Sequence, residues 1–196
     1  MLLHCLRHGA TEANLAHRFN PEDDPLHAST HDQLRGFVGL SERYDHIYVS
    51  PLRRAVQTAE LLGLKGWTIE PRISERGLGV FCGLTADECT ERHAQAFADF
   101  SRLEAEPAIP DGESRGEHLA RVMAWLEEAC ACGAERVLAI THGGVIDFLY
   151  RMGTGSPMHG GEQVHGGDNL ALSSFEVAWP HVRLISFSDP LALAAP

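Results

Sequence analysis

The sequence is short of positive charge. Sixteen lysines and arginines stand against 27 aspartates and glutamates among 196 residues, which gives a formal net charge of −11. DNA, RNA and anionic membrane surfaces bind proteins through a positive field, so this balance argues against all three as the main partner. We therefore expect neither a nucleic-acid nor a membrane partner.

Long apolar runs and regularly spaced cysteines are also missing. No apolar run reaches the roughly eighteen residues that a membrane-spanning helix needs. Residues 1–4 (MLLH) are too few and too polar to open a signal peptide. The five cysteines are odd in number and scattered, which is typical of reduced thiols. These absences favour a cytoplasmic enzyme or binding module.

Short apolar runs alternate with helical patterns along the chain. Strands are predicted at residues 2–6, 46–50, 67–70, 136–141, 170–177 and 181–187. Helices are predicted at residues 11–18, 31–42, 52–62, 85–104 (broken once), 113–132 and 143–152. The alternation predicts an α/β fold, a three-layer α/β/α sandwich around a mostly parallel central sheet. We expect one domain over residues 1–196, with 80–112 as a lid and the glycine-rich 153–167 as a loop near the mouth of a site.

Two of the predicted strands end directly in a histidine followed by glycine. Arg7 and His8 close the first strand, and His142 and Gly143 follow the strand at 136–141. In open α/β sheets, ligands bind beyond the carboxyl ends of the strands, so both histidines face one crevice if these two strands are parallel neighbours. Glycine leaves backbone N–H groups accessible at a helix start, which suits an anion.

A third strand end leads into a helix whose first turn holds Arg53 and Arg54. A guanidinium can grip phosphate oxygens with two parallel hydrogen bonds, which a lysine cannot do. The residue pattern alone does not choose between these two arginines. Two guanidinium groups and two imidazoles describe a pocket for a dianionic phosphoryl group, because negative charge gathers on its equatorial oxygens during transfer.

The same residues suggest a mechanism. A neutral imidazole can attack phosphorus when a hydrogen bond at its other nitrogen fixes the tautomer. The leaving oxygen then needs a proton. Glu75, in an irregular glycine-rich segment, is the candidate acid.

Five blocks of the sequence resemble, in order, the signature of the histidine phosphatase superfamily, which has the phosphoglycerate-mutase-like fold. The blocks are residues 7–14 (RHGATEAN), 50–59 (SPLRRAVQTA), 73–85 (ISERGLGVFCGLT), 111–114 (DGES) with Arg121, and 140–144 (ITHGG). Five ordered blocks are far more specific than a lone Arg-His-Gly. The resemblance runs from residue 2 to about residue 150 and is weak beyond, where Asn169 stands near a position that the family often fills with asparagine.

The resemblance implies a metal-independent phosphomonoesterase that acts on a small phosphorylated metabolite and needs no cofactor. In such an enzyme His8 becomes phosphorylated, and Glu75 protonates the leaving alcohol and then deprotonates water. The residues that the resemblance assigns to the phosphoryl group are Arg7, Arg54 and His142, with hydrogen bonds from Asn14, Thr11 and the Gly143 backbone. It therefore favours Arg54 over Arg53. Thr11 and Asn14 are also suited to capping a helix.

Alternatives stay open at this stage. A mutase shares the first half-reaction, but it needs a long lid and extra basic residues, whereas the segment between Leu84 and Pro110 is short and has few (Arg92, Arg102). A catalytically silent phosphate sensor is disfavoured because every chemical residue is present. Residues 84–88 and 110–114 are similar to α-ribazole phosphatases. Departures from the family pattern, at residues 19–24, 28–30 and 81–82, fall outside the phosphoryl-handling residues and put the substrate-side contacts in doubt. The sequence allows a homodimer.

Overall fold

The computed structural model describes residues 1–34, 40–161 and 166–189. A six-stranded sheet is formed by β1 (Leu2–Arg7), β2 (His46–Val49), β3 (Thr68–Ile69), β4 (Arg136–Thr141), β5 (Leu172–Ala178) and β6 (His181–Asp189). The strand order is β3-β2-β4-β1-β5-β6. The first four strands of that order pair in parallel, and β5 pairs antiparallel with both β1 and β6. The predicted α/β fold with a mostly parallel sheet is confirmed.

The helices of the described chain surround this sheet. They are α1 (Glu12–Leu15), α2 (Ala28–Leu34), α3 (Arg53–Leu61), α4 (Ala86–Arg92), α5 (Ala94–Ser101), α6 (Arg115–Ala131) and α7 (Gly143–Thr154). Three begin at capping boxes, whose N-cap residues are Thr11, Thr85 and Ser114. In each box the side chains of the N-cap and of the third helical residue bond each other's backbone N–H, which fixes where the helix starts.

The core lies on both faces of the sheet. Side chains alternate across a strand, so Val137 of β4 packs with the cluster that contains Trp125 of α6, whereas Leu138 packs with the cluster that contains Ala55 of α3. All four of these side chains are buried. Two separate apolar layers therefore fasten helices to opposite sides of one sheet, as the predicted three-layer sandwich requires.

A smaller cluster lies in the segment predicted as a lid. Phe81 packs against Phe97 and Phe100 of α5, with ring centroids 5.6 and 5.5 Å apart. Phe19, which precedes α2 in the chain, joins the same cluster, with its ring centroid 5.7 Å from that of Phe100. Edge-to-face contacts of this kind hold the segment to itself and to Phe19. That it moves as a lid stays a prediction.

Two predicted helices differ in detail. The helix expected at 31–42 begins earlier, at Ala28, because Nδ1 of His27 accepts a hydrogen bond from the Ser29 N–H at 3.2 Å and so starts the first turn. Its predicted middle, 35–39, lies outside the described residues, as does 162–165 of the expected glycine-rich loop. The single break expected in 85–104 falls at His93 (φ −137°, ψ 41°). Within the described ranges, no helix is long and apolar enough to cross a membrane.

Candidate active site

His8 follows β1 directly and is almost fully buried. Its Nδ1 lies 2.8 Å from the Gly9 carbonyl oxygen, and its Nε2 lies 3.3 Å from Nε of Arg54. A carbonyl oxygen can only accept and an arginine N–H can only donate, so Nδ1 carries the proton and Nε2 keeps a lone pair. The fold therefore holds this imidazole in the tautomer that can attack through Nε2.

The electrostatics of the site keep His8 neutral. Burial disfavours the imidazolium, and the positive charges of Arg54 and Arg7 add to this, so the pKa of His8 lies well below its usual value of 6.5. The hydrogen bond to the Gly9 carbonyl opposes the shift but is the smallest contribution. The nucleophilic form is consequently the resting form at neutral pH.

The structure distinguishes Arg54 from its neighbour Arg53, which the residue pattern alone could not do. Arg54, in the first turn of α3, is buried, faces His8, and donates from Nη1 to the Pro21 carbonyl oxygen at 2.8 Å. The side chain of Arg53 is half exposed and lies 3.5 Å from the Asp23 carboxylate at the surface. Successive helical residues point about 100° apart, so only one of the two can reach the strand ends.

Arg7, the last residue of β1, lies on the other side of His8. Its Nη1 donates to the Gly167 carbonyl, and its Nε is buried with no hydrogen-bond partner among the residues described. Gly143 packs against this guanidinium, since a Cβ added there would lie 3.8 Å from Arg7 Cζ. A buried donor without a partner is what a bound anion would satisfy.

His142 completes the group. Its ring centroid lies 5.0 Å from that of His8. Nε2 lies 2.7 Å from Oγ of Ser50, at the end of β2, and Nδ1 has no partner in the described part of the chain. Burial, followed by the charge of Arg54, lowers the pKa of His142 well below 6.5. The contact with Ser50 was not anticipated, although Ser50 opens one of the recognised blocks.

Glu75 lies beside the start of α7. Its Oε2 accepts from the Gly144 N–H at 3.2 Å, and its Oε1 accepts from the Arg76 N–H at 2.9 Å. A Cβ on Gly144 would stand 2.3 Å from Oε1 of Glu75 and 2.9 Å from Cε1 of His118. Glycine is therefore required at 144 because the carboxylate and the imidazole both approach the backbone there.

Asn14 and Thr11, both predicted to bind substrate, have different surroundings in the structure. Thr11 is fully buried, and its Oγ1 accepts from the Asn14 N–H at 3.2 Å and from Nδ2 of Asn20 at 2.6 Å. This is the capping alternative, and because the hydroxyl is already engaged, the placement does not support a direct substrate contact for Thr11. Asn14 lines the cavity, and its Oδ1 lies 3.3 Å from Nδ2 of Asn169, which also binds the His8 carbonyl at 2.9 Å.

A cavity of about 250 Å³ opens beside these groups. Its wall includes four predicted site residues, namely Arg7, Asn14, Glu75 and Gly143. It also includes polar residues that the sequence analysis missed, namely Arg18, Arg76, Arg115 and His118. A smaller cavity of about 140 Å³, lined by Arg54, Glu75 and Arg76, adjoins it.

One sequence signal could have identified two of the missed residues. Arg115 and His118 are three residues apart at the start of α6, so they share a helix face, and both are buried. Basic residues on the buried face of an amphipathic helix need a polar environment. Arg76 offers no comparable pattern, because it lies in irregular chain.

The described residues hold no group of three or more His, Cys, Asp or Glu side chains placed to bind a metal ion. The positive charge next to His8 comes from Arg7 and Arg54.

Comparison with known proteins identifies the family. The family model of the histidine phosphatase superfamily (branch 1) matches residues 3–190. The chain belongs to this superfamily. It is 32% identical over 155 residues to a metal-independent phosphoserine phosphatase of Arabidopsis thaliana, covering 74% of this chain but 65% of that protein. This superfamily member is accordingly a phosphatase, as the resemblance of its motifs implied.

Other relatives show the breadth of the superfamily. The chain is 30% identical over 164 residues to a 2,3-bisphosphoglycerate-dependent phosphoglycerate mutase of Azorhizobium caulinodans, covering 76% of this chain and 79% of that one. Among solved structures, the α-ribazole phosphatase of Shigella flexneri superposes with a TM-score of 0.78 at 21% identity, covering 96% of both chains. The latter likeness concerns the fold alone.

Proposed function

We propose that this phosphatase hydrolyses a small phosphomonoester through a phosphohistidine on His8, without a metal ion. The observation that carries the proposal is the state of the His8 ring. Its Nδ1 proton is held by the Gly9 carbonyl at 2.8 Å, and its Nε2 lone pair faces Arg54. A neutral imidazole of fixed tautomer beside a guanidinium is suited to attack a phosphoryl group.

In the first step Nε2 of His8 attacks phosphorus. The N–P bond forms as the bond from phosphorus to the ester oxygen breaks, and the leaving oxygen takes a proton from the carboxyl group of Glu75. As the substrate binds and before this attack, Arg54 turns its Nε–H from the His8 ring to a phosphoryl oxygen, which frees the Nε2 lone pair. Arg7, on the cavity wall, and His142, whose ring centroid lies 5.0 Å from that of His8, meet the remaining negative charge.

In the second step a water molecule attacks the phosphohistidine. The Glu75 carboxylate accepts the proton of that water, the N–P bond breaks, and inorganic phosphate leaves. His8 returns to its neutral form with the proton still on Nδ1. The backbone amides of Arg76 and Gly144 hold the Glu75 carboxylate in place for both steps.

Two observations support a reaction without a metal. Arg7 and Arg54 bring to the phosphoryl group the positive charge that a metal ion would otherwise supply. The Arabidopsis thaliana relative that is 32% identical is itself named as metal-independent.

The phosphorylated intermediate is tested by rapid chemical quench. The enzyme is mixed with a ³²P-labelled phosphomonoester in EDTA, denatured within milliseconds, and examined for protein-bound label that is lost in acid and stable in base. We expect such label on the wild type and none on His8→Ala, with His31→Ala as the matched control that keeps it. Label on His8→Ala would contradict the assignment of the nucleophile, and loss of all turnover in EDTA would contradict the metal-free reaction.

Transfer of the phosphoryl group to a second metabolite is the other candidate. The Azorhizobium caulinodans mutase, 30% identical, favours it, and so do the basic residues of the cavity, which come from outside the basic-poor segment between Leu84 and Pro110. A substrate panel separates the two reactions. It contains α-ribazole phosphate and 3-phosphoglycerate, the latter with 2,3-bisphosphoglycerate. Release of inorganic phosphate supports hydrolysis, whereas formation of 2-phosphoglycerate supports transfer.

A further inference from the structure

His118 is a buried histidine of the cavity wall with an unpaired ring nitrogen. It lies near the start of α6, is 1% exposed, and lines the cavity of about 250 Å³. Its Nε2 atom has no hydrogen-bond partner among the residues that the structure describes. A buried polar atom is normally satisfied by a neighbour or by a bound molecule, and a cavity wall gives such a molecule access.

The ring of His118 is held in one orientation and one tautomer. Its hydrogen bond with the Ser74 backbone raises the pKa, as a carbonyl acceptor does, and because Nε2 is unpaired this bond belongs to Nδ1. The ring also makes an edge-to-face contact with Phe148 of α7, with centroids 4.9 Å apart. Nδ1 therefore carries the proton, and Nε2 presents a lone pair.

His118 is neutral at neutral pH. Burial, followed by the charges of Arg121, Arg76 and Arg115, lowers its pKa well below 6.5. Nε2 consequently accepts hydrogen bonds and does not donate them. The molecule that binds to this atom must carry an O–H or an N–H group.

His118 and Glu75 approach the same point beside Gly144. A Cβ at Gly144 would lie 2.3 Å from Oε1 of Glu75 and 2.9 Å from Cε1 of His118. Nε2 is bonded directly to Cε1 within the imidazole ring, so a small molecule bound to the Glu75 carboxylate can also reach Nε2. The carboxylate lies close to the arginines assigned to the phosphoryl group, since its charge acts on both Arg7 and Arg54.

The other carboxylate of the cavity wall is already engaged. Oδ1 of Asp147 accepts from Arg151 at 2.9 Å, and Oδ2 accepts from Arg115 at 2.8 Å. Glu75 and His118 therefore form a pair of neighbouring acceptors on this wall. Two acceptors side by side suit a molecule with two O–H bonds, and water is the smallest such molecule.

We propose that His118 positions the water molecule that hydrolyses the phosphohistidine. This inference rests on the proposed function and concerns its second step. One O–H of the water donates to the Glu75 carboxylate and the other to Nε2 of His118, so that an oxygen lone pair faces phosphorus. As the O–P bond forms, the N–P bond breaks and its electron pair returns to Nε2 of His8. Glu75 takes one proton, and the other stays on the oxygen and leaves with inorganic phosphate.

Such a pair of acceptors favours water over an alcohol. An alcohol has a single O–H, which donates to Glu75, so its carbon atom faces Nε2 of His118 and leaves that nitrogen unpaired. The site therefore disfavours a second phosphoryl acceptor through an uncompensated buried polar atom. His118 is in this way a residue that selects hydrolysis over transfer.

Competition between water and methanol tests this role. The enzyme acts on p-nitrophenyl phosphate in dilute methanol, and ³¹P NMR measures methyl phosphate against inorganic phosphate. For the wild type we expect methyl phosphate to form at least about tenfold less readily than inorganic phosphate at equal acceptor concentration. The ratio is internal to each reaction, so a loss of active enzyme does not change it.

Two variants with unbranched side chains separate the acceptor from the volume that it fills. His118→Met leaves only a weakly accepting thioether and should raise the ratio of methyl phosphate to inorganic phosphate by about tenfold. His118→Gln keeps an acceptor oxygen and should stay within about threefold of the wild type. His46→Met, at an exposed position of β2 outside both cavities, should leave the ratio unchanged.

Rapid-quench kinetics identify the step that changes. With ³²P-labelled p-nitrophenyl phosphate, the rise of protein-bound label measures attack by His8, and its decay after a chase with unlabelled substrate measures attack by water. In His118→Met the decay should slow by about tenfold, whereas the rise should change by less than about threefold. A purely structural role of His118 would slow both steps alike.

The outcomes are distinct. The role of His118 is wrong, and the phosphohistidine mechanism stands, if the wild type uses methanol as readily as water, which is measured without any variant. The same conclusion follows if His118→Met changes neither the product ratio nor the decay, if it slows rise and decay equally, or if His118→Gln behaves like His118→Met. If the wild type forms no phosphohistidine, the proposed function fails and takes this inference with it.

Discussion

The hydrogen bond from Nδ1 of His8 to the Gly9 carbonyl decides how this side chain can react. Without it, either nitrogen of the ring could carry the proton, and the lone pair would face the cavity only part of the time. With it, the lone pair is held on Nε2 beside Arg54. One backbone oxygen therefore holds the proposed nucleophile in its reactive tautomer before substrate arrives.

Glu75→Gln tests the proton donor by its dependence on the leaving group. An amide cannot supply the proton, so kcat for an alkyl phosphate should fall by about 10²- to 10⁴-fold. p-Nitrophenolate leaves without a proton, so p-nitrophenyl phosphate should lose far less. Steady-state kinetics with both substrates measure the difference, and Glu127→Gln, at an exposed position of α6, is the control. Equal losses on the two substrates would remove the acid role from Glu75.

At the scale of elements, α6 connects helix capping to the cavity. Oγ of Ser114 accepts from the Glu117 N–H at 3.1 Å, and Oε2 of Glu117 accepts from the Ser114 N–H at 2.8 Å. This box fixes the first turn, and that turn carries Arg115 and His118 to the cavity wall. The capping signal at Ser114 therefore positions Arg115 and His118, which belong to a helix on the opposite face of the sheet from α3.

Ser114→Ala should lower the free energy of unfolding by about 1 kcal/mol, within a range of about 0.5–2, because the cap is lost and the Glu117 N–H is left without its acceptor. Urea denaturation followed by circular dichroism measures the change. Ser101→Ala, at an exposed position near the end of α5, is the matched control and should change stability by less than about 0.5 kcal/mol. An effect on Ser114→Ala no larger than on the control would contradict the structural role of the box.

For the whole molecule, the net charge of −11 contrasts with the basic residues that line the cavity. The acidic residues outnumber the basic ones, yet Arg7, Arg54 and Arg76 line the two adjoining cavities of the candidate site. Screening by salt limits the field of the distant acids to about 10 Å at 0.1 M ionic strength. At contact distance the local arginines therefore dominate the field that a phosphate group would meet.

The burial of three histidines is expected to lower the stability of the protein at acid pH. His8, His118 and His142 are buried, and their pKa values lie well below 6.5 chiefly because of desolvation. The unfolded chain takes up these protons as the pH falls through about 6.5 while the native state does not, so stability is full above that pH and is lost below it. Each histidine contributes a slope of roughly 1.4 kcal/mol per pH unit.

Urea denaturation at pH 7.5, 6.5 and 5.5 measures this loss. We expect a nearly constant free energy of unfolding in the upper interval and a steep fall in the lower one. His118→Gln removes one of the three groups and should reduce the slope below pH 6.5 by roughly a third. A free energy of unfolding that stays flat down to pH 5.5 would show that the three imidazoles do not stay neutral in the native state.

The amino-acid pattern was enough to predict the histidines and arginines at the centre of the site. His8, which follows β1, and His142, which follows β4, lie at one edge of the sheet because β1 and β4 are parallel neighbours, a pairing on which the expectation of a shared crevice depended. The alternation of apolar runs and helical patterns along the chain was enough to predict the three layers of the fold. Spacing along the chain carries such information, because each strand or helix is specified locally.

Contacts between segments far apart in the chain became visible only in the folded molecule. Three features depend on contacts between residues that are 37 to 92 positions apart in the chain. They are the position of Arg54 rather than Arg53 beside His8, the contact between His142 and Ser50, and the burial of Arg76. No local pattern encodes these distances, since each results from two elements that meet only after the sheet has formed. The residues that we propose to handle the phosphoryl group are therefore visible in the sequence, whereas the place of Arg76 on the cavity wall emerges only from the fold.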